Sequence, residues 1–511
     1  MGQVSLGFGI GAGDHEGGSR CHTQDGREPL VGSSTGTPRN DQVEVDSEGY
    51  SKALGNRQVQ MIAIGGAIGV GLFLGAGGRL HDTGPALVLS YALCGAAAFF
   101  VMRALGELVL YRPTSGSFVT YAREFIGPWA GFTSGWMYWL NWAMTGIAEI
   151  TAVGIYVHRW LPDVPQWVTA LIALVALLTI NLVSVKLFGE LEFWFSVIKV
   201  TAIIVFLFVG VGLVLTSANI GGHTAGVANL TADGGFFPHG VGVTLIALQA
   251  VIFAYSAIEL VGIAAGETKS PEKVLPKAIN GVIYRIGIFY VGSVLLLAML
   301  LPSLLYSSDA SPFVTVFSAL GIPWVADVMN AIVLTAALSS CNSGLYSTGR
   351  VLRSLADKRE APKFAGKMSK QHVPYGGILF TSVIYLAGVG LNYFVPKEAF
   401  DIVTAIASLG VVATWATLVF CQMRLRKAAL RGELERPSYR MPGAPYTGWL
   451  TLGFLALVVV MMGFAGGAER IAFYSIPGIA VVIFIGWKLV KSRRPEAPEI
   501  TLRQPAPVSG D

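Results

Sequence analysis

The chain has 511 residues, of which 53% are hydrophobic and 13% charged, with a formal net charge of +5. Soluble domains carry roughly 25% charged residues, so the composition excludes an ordinary soluble core and points to a polytopic membrane protein. The sequence holds no phosphate-binding loop, no zinc-ligand spacing and no G-x-S-x-G elbow, so it is read as neither an enzyme nor the holder of a metal or cofactor.

Residues 1–50 are rich in Gly, Asp, Ser, Thr and Arg and read as a disordered tail, without the apolar stretch of a secretory signal. From Gln60 onward, apolar blocks alternate with short polar stretches. They fall at about 60–80, 84–110, 129–157, 165–184, 191–216, 243–264, 280–301, 325–352, 374–395, 399–422, 448–466 and 471–490. Each is close to or above the roughly 20 residues that cross a bilayer core. The expectation is an all-α protein with twelve transmembrane helices and a second tail over 491–511.

Basic residues collect in alternate loops. Lys269, Lys273 and Lys277 follow the sixth span, Arg353 to Lys370 the eighth, and Arg424 to Arg440 the tenth. The intervening loops hold few: Arg79, Arg159, Lys397 and Arg470. The positive-inside rule then puts both termini in the cytoplasm, and orientation accounts for the basic runs without any nucleic-acid partner. Cys21, Cys94, Cys341 and Cys421 fit no disulfide or metal spacing and read as idle thiols.

Two spans are interrupted. The first runs Ile64-Gly65-Gly66-Ala67-Ile68-Gly69-Val70-Gly71, and each glycine weakens a helix by about 1 kcal/mol relative to alanine. Such a stretch either packs closely on a neighbour through its small residues or unwinds beside a wet cavity. Unwound, its N–H groups attract a carboxylate and its carbonyls an ammonium, the two charges of an amino acid. The sixth span runs Phe253-Ala254-Tyr255-Ser256-Ala257-Ile258-Glu259, broken by a hydroxyl and a carboxylate. Breaks five spans apart suggest two inverted halves around a central site.

Glu149, Lys199 and Glu259 lie inside spans, where a charge costs at least about 2.5–3.5 kcal/mol. Each is expected to be paired, neutral or facing a cavity. Lys199 stands about 12 Å along the helix from Leu191, too deep to reach the headgroups easily. It is either a structural cation, paired with a carbonyl, Glu149 or Glu259, or a group that gains and loses a proton. Arg103 and Glu107 are four apart and expected to pair on one helix face, as a surface pair or a gate. The polar run Ser339-Ser340-Cys341-Asn342-Ser343 either lines a path or bonds between helices.

The stretches Asn56-Arg57-Gln58, Ile64 to Gly69, Gly84-Pro85-Ala86, Ala104-Leu105-Gly106-Glu107 and Pro113 to Phe118 resemble the amino acid–polyamine–organocation superfamily of secondary transporters, and within it the bacterial amino acid permeases. The likeness runs from about Gly55 to Trp487. The segments Gly135 to Tyr138, Asn141 to Ile147, Gly234 to Gly240 and Pro442 to Pro445 bring it nearest to members that carry L-asparagine. Glu149 stands where the enterobacterial members are expected to hold aspartate.

The resemblance implies a transporter domain over 51–490, with five-plus-five inverted repeats at about 60–216 and 243–422 and two extra helices at about 448–490. It implies that backbone around Ala67, Gly69, Val70 and Gly71 holds the substrate carboxylate and helps hold the amino group. Carbonyls of Phe253, Ala254 and Ser256 would take the rest of the ammonium, and Phe253 would close as a lid. Glu259 and Glu149 would face the side-chain pocket or relay protons. Lys199 matches the lysine that fills the sodium position of sodium-coupled relatives, which favours proton symport. The expected function is import of a small neutral amino acid, L-asparagine first, with a proton and by alternating access, in a bacterial cell membrane. Related permeases carry aspartate, D-serine, alanine, glycine or 4-aminobutyrate. A membrane sensor that binds an amino acid without moving it is the alternative of another class.

Overall fold

The structure, a computed structural model, describes residues 68–114, 117–183, 185–260, 286–396 and 398–492, with positions 61, 262, 276, 277, 279–281 and 284. Among them, ten helices are long and apolar enough to cross a membrane. The other two expected spans, 60–80 and 243–264, are the interrupted ones. Their described parts are short helices: α1 (Val70–Phe73) and α2 (Gly75–Thr83) in the first, and α8 (Gly240–Ile246) and α9 (Leu248–Ala254) in the sixth.

The chain continues from α2 through a Gly84–Ala86 turn into α3 (Leu87–Tyr111). A short α4 (Ser117–Phe125) leads to α5 (Pro128–His158), α6 (Gln166–Val183) and α7 (Val185–Leu215). A two-residue hairpin, Asn219–Ile220 against His223–Thr224, follows α7. Beyond α9, a π-type turn over Ile286–Gly292 enters α10 (Ser293–Leu300), and α11 (Pro312–Ala319) precedes α12 (Pro323–Asp357). The last four helices are α13 (Tyr375–Phe394), α14 (Ala399–Leu430), α15 (Tyr446–Phe464) and α16 (Gly467–Ser492).

Several helices outrun their apolar blocks. α7 starts six residues before the expected 191, taking in Lys186 and Glu190, and α14 runs eight residues past 422 through Arg424, Arg426 and Lys427. Hydropathy marks the hydrocarbon core, whereas a helix continues into water as long as its backbone bonds hold.

α5 packs most extensively on α12 and α14 and is the centre of the core. Small residues set these close approaches, as expected where lipid supplies no hydrophobic drive between helices. A Cβ on Gly344 of α12 would stand 2.8 Å from Trp142 Cε3 of α5, and one on Gly410 of α14 would stand 2.6 Å from Asn141 Cβ of α5. α5 and α12 thereby hold Glu149 and Ser339-Ser340 beside the breaks in the two interrupted spans.

Candidate functional site at two helix breaks

In the first interrupted span, Gly69 is extended, with φ −128° and ψ −161°, and α1 begins at Val70. Its first turn is closed by Leu72 and Phe73 N–H groups donating to the Gly69 carbonyl at 3.3 and 3.2 Å. The leading N–H groups of such a short helix have no partner inside it. In the sixth span the break follows Ala254. Tyr255 N–H donates to the Ile252 carbonyl at 3.1 Å and Ser256 N–H to that of Phe253 at 2.9 Å, so the four-residue ladder tightens and stops. Ala257 then takes φ +74°, a left-handed conformation costly to a residue with a Cβ and held only where its surroundings impose it.

The breaks face each other. Gly69, Gly71, Phe253, Ala254, Ser256 and Ala257 line one cavity with Glu149 of α5 and Ser340 of α12. A Cβ on Gly69 would stand 3.0 Å from Glu149 Oε1 and 3.3 Å from Ser340 Oγ. Glu149 is 1% exposed, and its Oε2 has no hydrogen-bond partner among the described residues. The cavity measures about 10 Å³, room for a single water. Of the residues expected at the site, Gly69, Gly71, Phe253, Ala254, Ser256 and Glu149 come together here. Val70, Glu259 and Lys199 are buried but do not line the cavity. Ala67 lies outside the described residues.

Phe253 also lines a second cavity, with Gly71, Tyr91, Arg79, Phe400, Asp401 and Thr404. Gly75, Arg79, Phe400 and Asp401 in turn border a third and larger one of about 630 Å³ that opens past His81 and Asp82. These volumes form a series from one end of the helices to the breaks, and successive members share lining residues, among them Phe400 and then Phe253. Beside the series, Arg79 reaches Glu469 of α16 at 2.8 Å and Asp401 of α14 at 3.4 Å.

Lys199 is fully buried. Its Nζ donates to Ser339 Oγ at 2.9 Å, and Ser339 Oγ donates to Glu192 Oε1 at 2.7 Å. Lys199 Nζ is itself 3.9 Å from Glu192 Oε1. The expected partners of a structural cation here, a carbonyl, Glu149 or Glu259, do not include Glu192. The spacing carried the signal, since residues seven apart share a helix face.

The Amino acid permease family matches residues 58–497. The chain belongs to that family. An L-asparagine permease of Salmonella typhimurium is 56% identical to the permease over 468 residues, 91% of this chain and 93% of the relative. L-asparagine permeases of Escherichia coli and Streptomyces coelicolor are 57% identical over 450 residues and 53% over 461. The first covers 87% of this chain and 90% of the relative, the second 90% and 94%. The permease is therefore a membrane transporter and not an enzyme.

The other end of the permease is closed by ties of a different kind. Glu107 of α3 is fully buried. It accepts from Arg436 Nε at 2.5 Å, from Gln422 Nε2 at 2.9 Å and from Met441 N–H at 2.8 Å. The expected Arg103–Glu107 pair does not form. Arg103 turns away to Asn280 Oδ1 at 2.8 Å and the Arg440 carbonyl at 2.6 Å, with its guanidinium 3.8 Å above the Tyr439 ring. Spacing on one helix permits a pair, but tertiary partners gave each side chain more bonds than the other could offer. Arg123 and Glu360 add a two-pronged bond between α4 and the segment after α12.

Glu259 is fully buried. The Trp415 indole and the Tyr138 hydroxyl lie near its carboxyl, yet neither closes a hydrogen bond, and among the described residues both carboxyl oxygens lack one. In the run 339–343, Ser340 lines the cavity, Ser339 binds Lys199 and Asn342 accepts from Asn181 Nδ2 at 2.7 Å. The run thus divides, with Ser340 facing the cavity and Ser339 and Asn342 bonding to other helices.

Proposed function

We propose that the permease imports L-asparagine with a proton, by alternating access around the cavity between the two helix breaks, in a bacterial cytoplasmic membrane with both termini inside. The facing of Gly69–Gly71 and Phe253–Ala257 carries this reading. Two unwound segments offer donors and acceptors at bilayer depth, which a zwitterion requires and a lipid does not. The leading N–H groups of α1 suit the substrate carboxylate, and carbonyls of Phe253, Ala254 and Ser256 suit the ammonium, with the Glu149 carboxyl beside it as a further acceptor. Twelve spans in five-plus-five inverted repeats with two added helices fit the ten long helices together with the two broken ones. Asparagine is favoured because the three relatives carry that substrate in their names at 53–57% identity. A fully buried lysine bonded to Ser339, the neighbour of cavity-lining Ser340, supports a proton as the coupling ion.

A cavity of this size must open to admit an amino acid. On this account Phe253 and Phe400 swing aside while the Glu107 and Arg123 ties stay shut, and the order then reverses. The test is uptake of radiolabelled L-asparagine into proteoliposomes under an imposed pH gradient, with the other amino acids as competitors. Accumulation driven by an inward proton gradient, and suppressed best by unlabelled asparagine, is expected. Uptake that follows sodium and ignores pH would overturn the coupling. Stronger competition by aspartate, alanine or 4-aminobutyrate would overturn the substrate.

A further inference from the structure

We propose that Glu192 is the proton partner of Lys199, and that Ser339 passes the proton between them. The inference rests on the proton-symport reading above and names the group that completes it.

The geometry begins with α7. Residues 192 and 199 are two helical turns apart, about 10.5 Å along the axis, on one face. Helical side chains lean toward the N-terminus, so Lys199 leans toward Glu192. The ammonium nevertheless stops 3.9 Å short of Glu192 Oε1, and the Ser339 hydroxyl from α12 fills the gap at 2.9 Å and 2.7 Å. All three side chains are fully buried. A buried pair serving stability alone is expected to close directly and to occupy both carboxylate oxygens. Here Glu192 Oε2 has no partner among the described residues.

A hydroxyl can accept from an ammonium and donate to a carboxylate at once. The step balances on these atoms. One Lys199 Nζ–H bond breaks and its proton bonds to Ser339 Oγ, while the original Ser339 Oγ–H bond breaks and its proton bonds to Glu192 Oε1. The lysine becomes a neutral amine, the glutamate a neutral acid, and the serine is regenerated. Two buried charges are replaced by two neutral groups, which a low-dielectric interior tolerates. The other acidic group near Lys199 among the described residues is Glu149 of α5.

Ser339 is followed in sequence by Ser340, which lines the substrate cavity beside Glu149. A shift of α12 that adapts Ser340 to substrate also moves Ser339 relative to Lys199 and Glu192. Substrate and proton are thereby read by neighbouring residues on one rigid element.

The test is Glu192→Gln in the full-length permease, reconstituted and compared with wild type and Glu192→Asp. Three readouts are taken: asparagine uptake with and without an inward proton gradient, asparagine-dependent proton entry by an internal pH dye, and exchange of internal for external asparagine. The proposal expects Glu192→Gln to lose gradient stimulation, to lower proton entry by about tenfold or more, and to keep measurable exchange, with Glu192→Asp restoring proton entry. Stimulation and proton entry at wild-type levels in Glu192→Gln would overturn it. Loss of exchange along with stimulation in both variants would also overturn it, by assigning Glu192 to the fold. Failure of the symport reading looks different, since wild type itself would then show no gradient stimulation.

Discussion

Gly71 and Ala254 touch across the site. A methyl group on Gly71 would stand 2.5 Å from Ala254 Cα and 3.0 Å from its nitrogen. The contact is backbone against backbone, so no rotamer change relieves it. Two interrupted helices are thereby in direct backbone contact beside the cavity.

Gly71→Ala should separate the two segments. Overpacking of this kind costs about 1–3 kcal/mol. If the strain falls on the substrate-bound state, initial uptake drops by about tenfold to a hundredfold. Uptake normalised to the amount of permease in the membrane checks this. Gly453→Ala, where an added Cβ meets nothing within 4 Å, is the matched control and should transport normally.

Phe253 lines both the inner cavity and the next, as Gly71 does. On the proposed function, Phe253→Ala removes part of the apolar cover over bound substrate. The expected result is a rise in KM of about tenfold with exchange retained, measured by concentration-dependent uptake.

Arg79 links the ends of three helical segments through Asp401 and Glu469. Arg79→Gln should loosen them and widen the way to Thr404, which lines the middle cavity. With the native cysteines replaced, Thr404→Cys should react with a membrane-impermeant thiol reagent several times faster in the Arg79→Gln background. The rate of modification reads this directly.

Glu107 is buried among Arg436, Gln422 and the Met441 N–H. Removing one partner of a buried pair costs about 3–5 kcal/mol, so Glu107→Ala should lower the melting temperature in detergent by many degrees. Glu433→Ala, which breaks the exposed pair with Arg431, should cost about 1 kcal/mol or less and leave the melt nearly unchanged. Thermal unfolding followed by tryptophan fluorescence compares the two.

The breaks were legible because glycine at 65, 66, 69 and 71, and Ser256 and Glu259 in an apolar run, violate what lipid demands of a helix. Glu149 and Lys199 stood out for the same reason. Glu192 was hidden because it sits one residue inside an expected boundary at 191, where a carboxylate reads as a headgroup residue. The helix in fact starts at Val185 and carries Glu192 into the interior. The partners of Glu107 were hidden for another reason: Arg436, Gln422 and Met441 are more than 300 residues away in the chain, and no local periodicity reports such contacts. Ala257 with positive φ also left no local mark, since alanine is among the best helix formers. Its conformation is imposed by the break itself.

The central claim is that the substrate lies between the two breaks. An experimental density map of the permease with L-asparagine bound tests it most directly. The account predicts density for the amino acid between Gly69–Gly71 and Phe253–Ala257, its carboxylate at the start of α1 and its ammonium toward the Phe253 to Ser256 carbonyls. Continuous helices through both segments, or asparagine bound elsewhere, would contradict it.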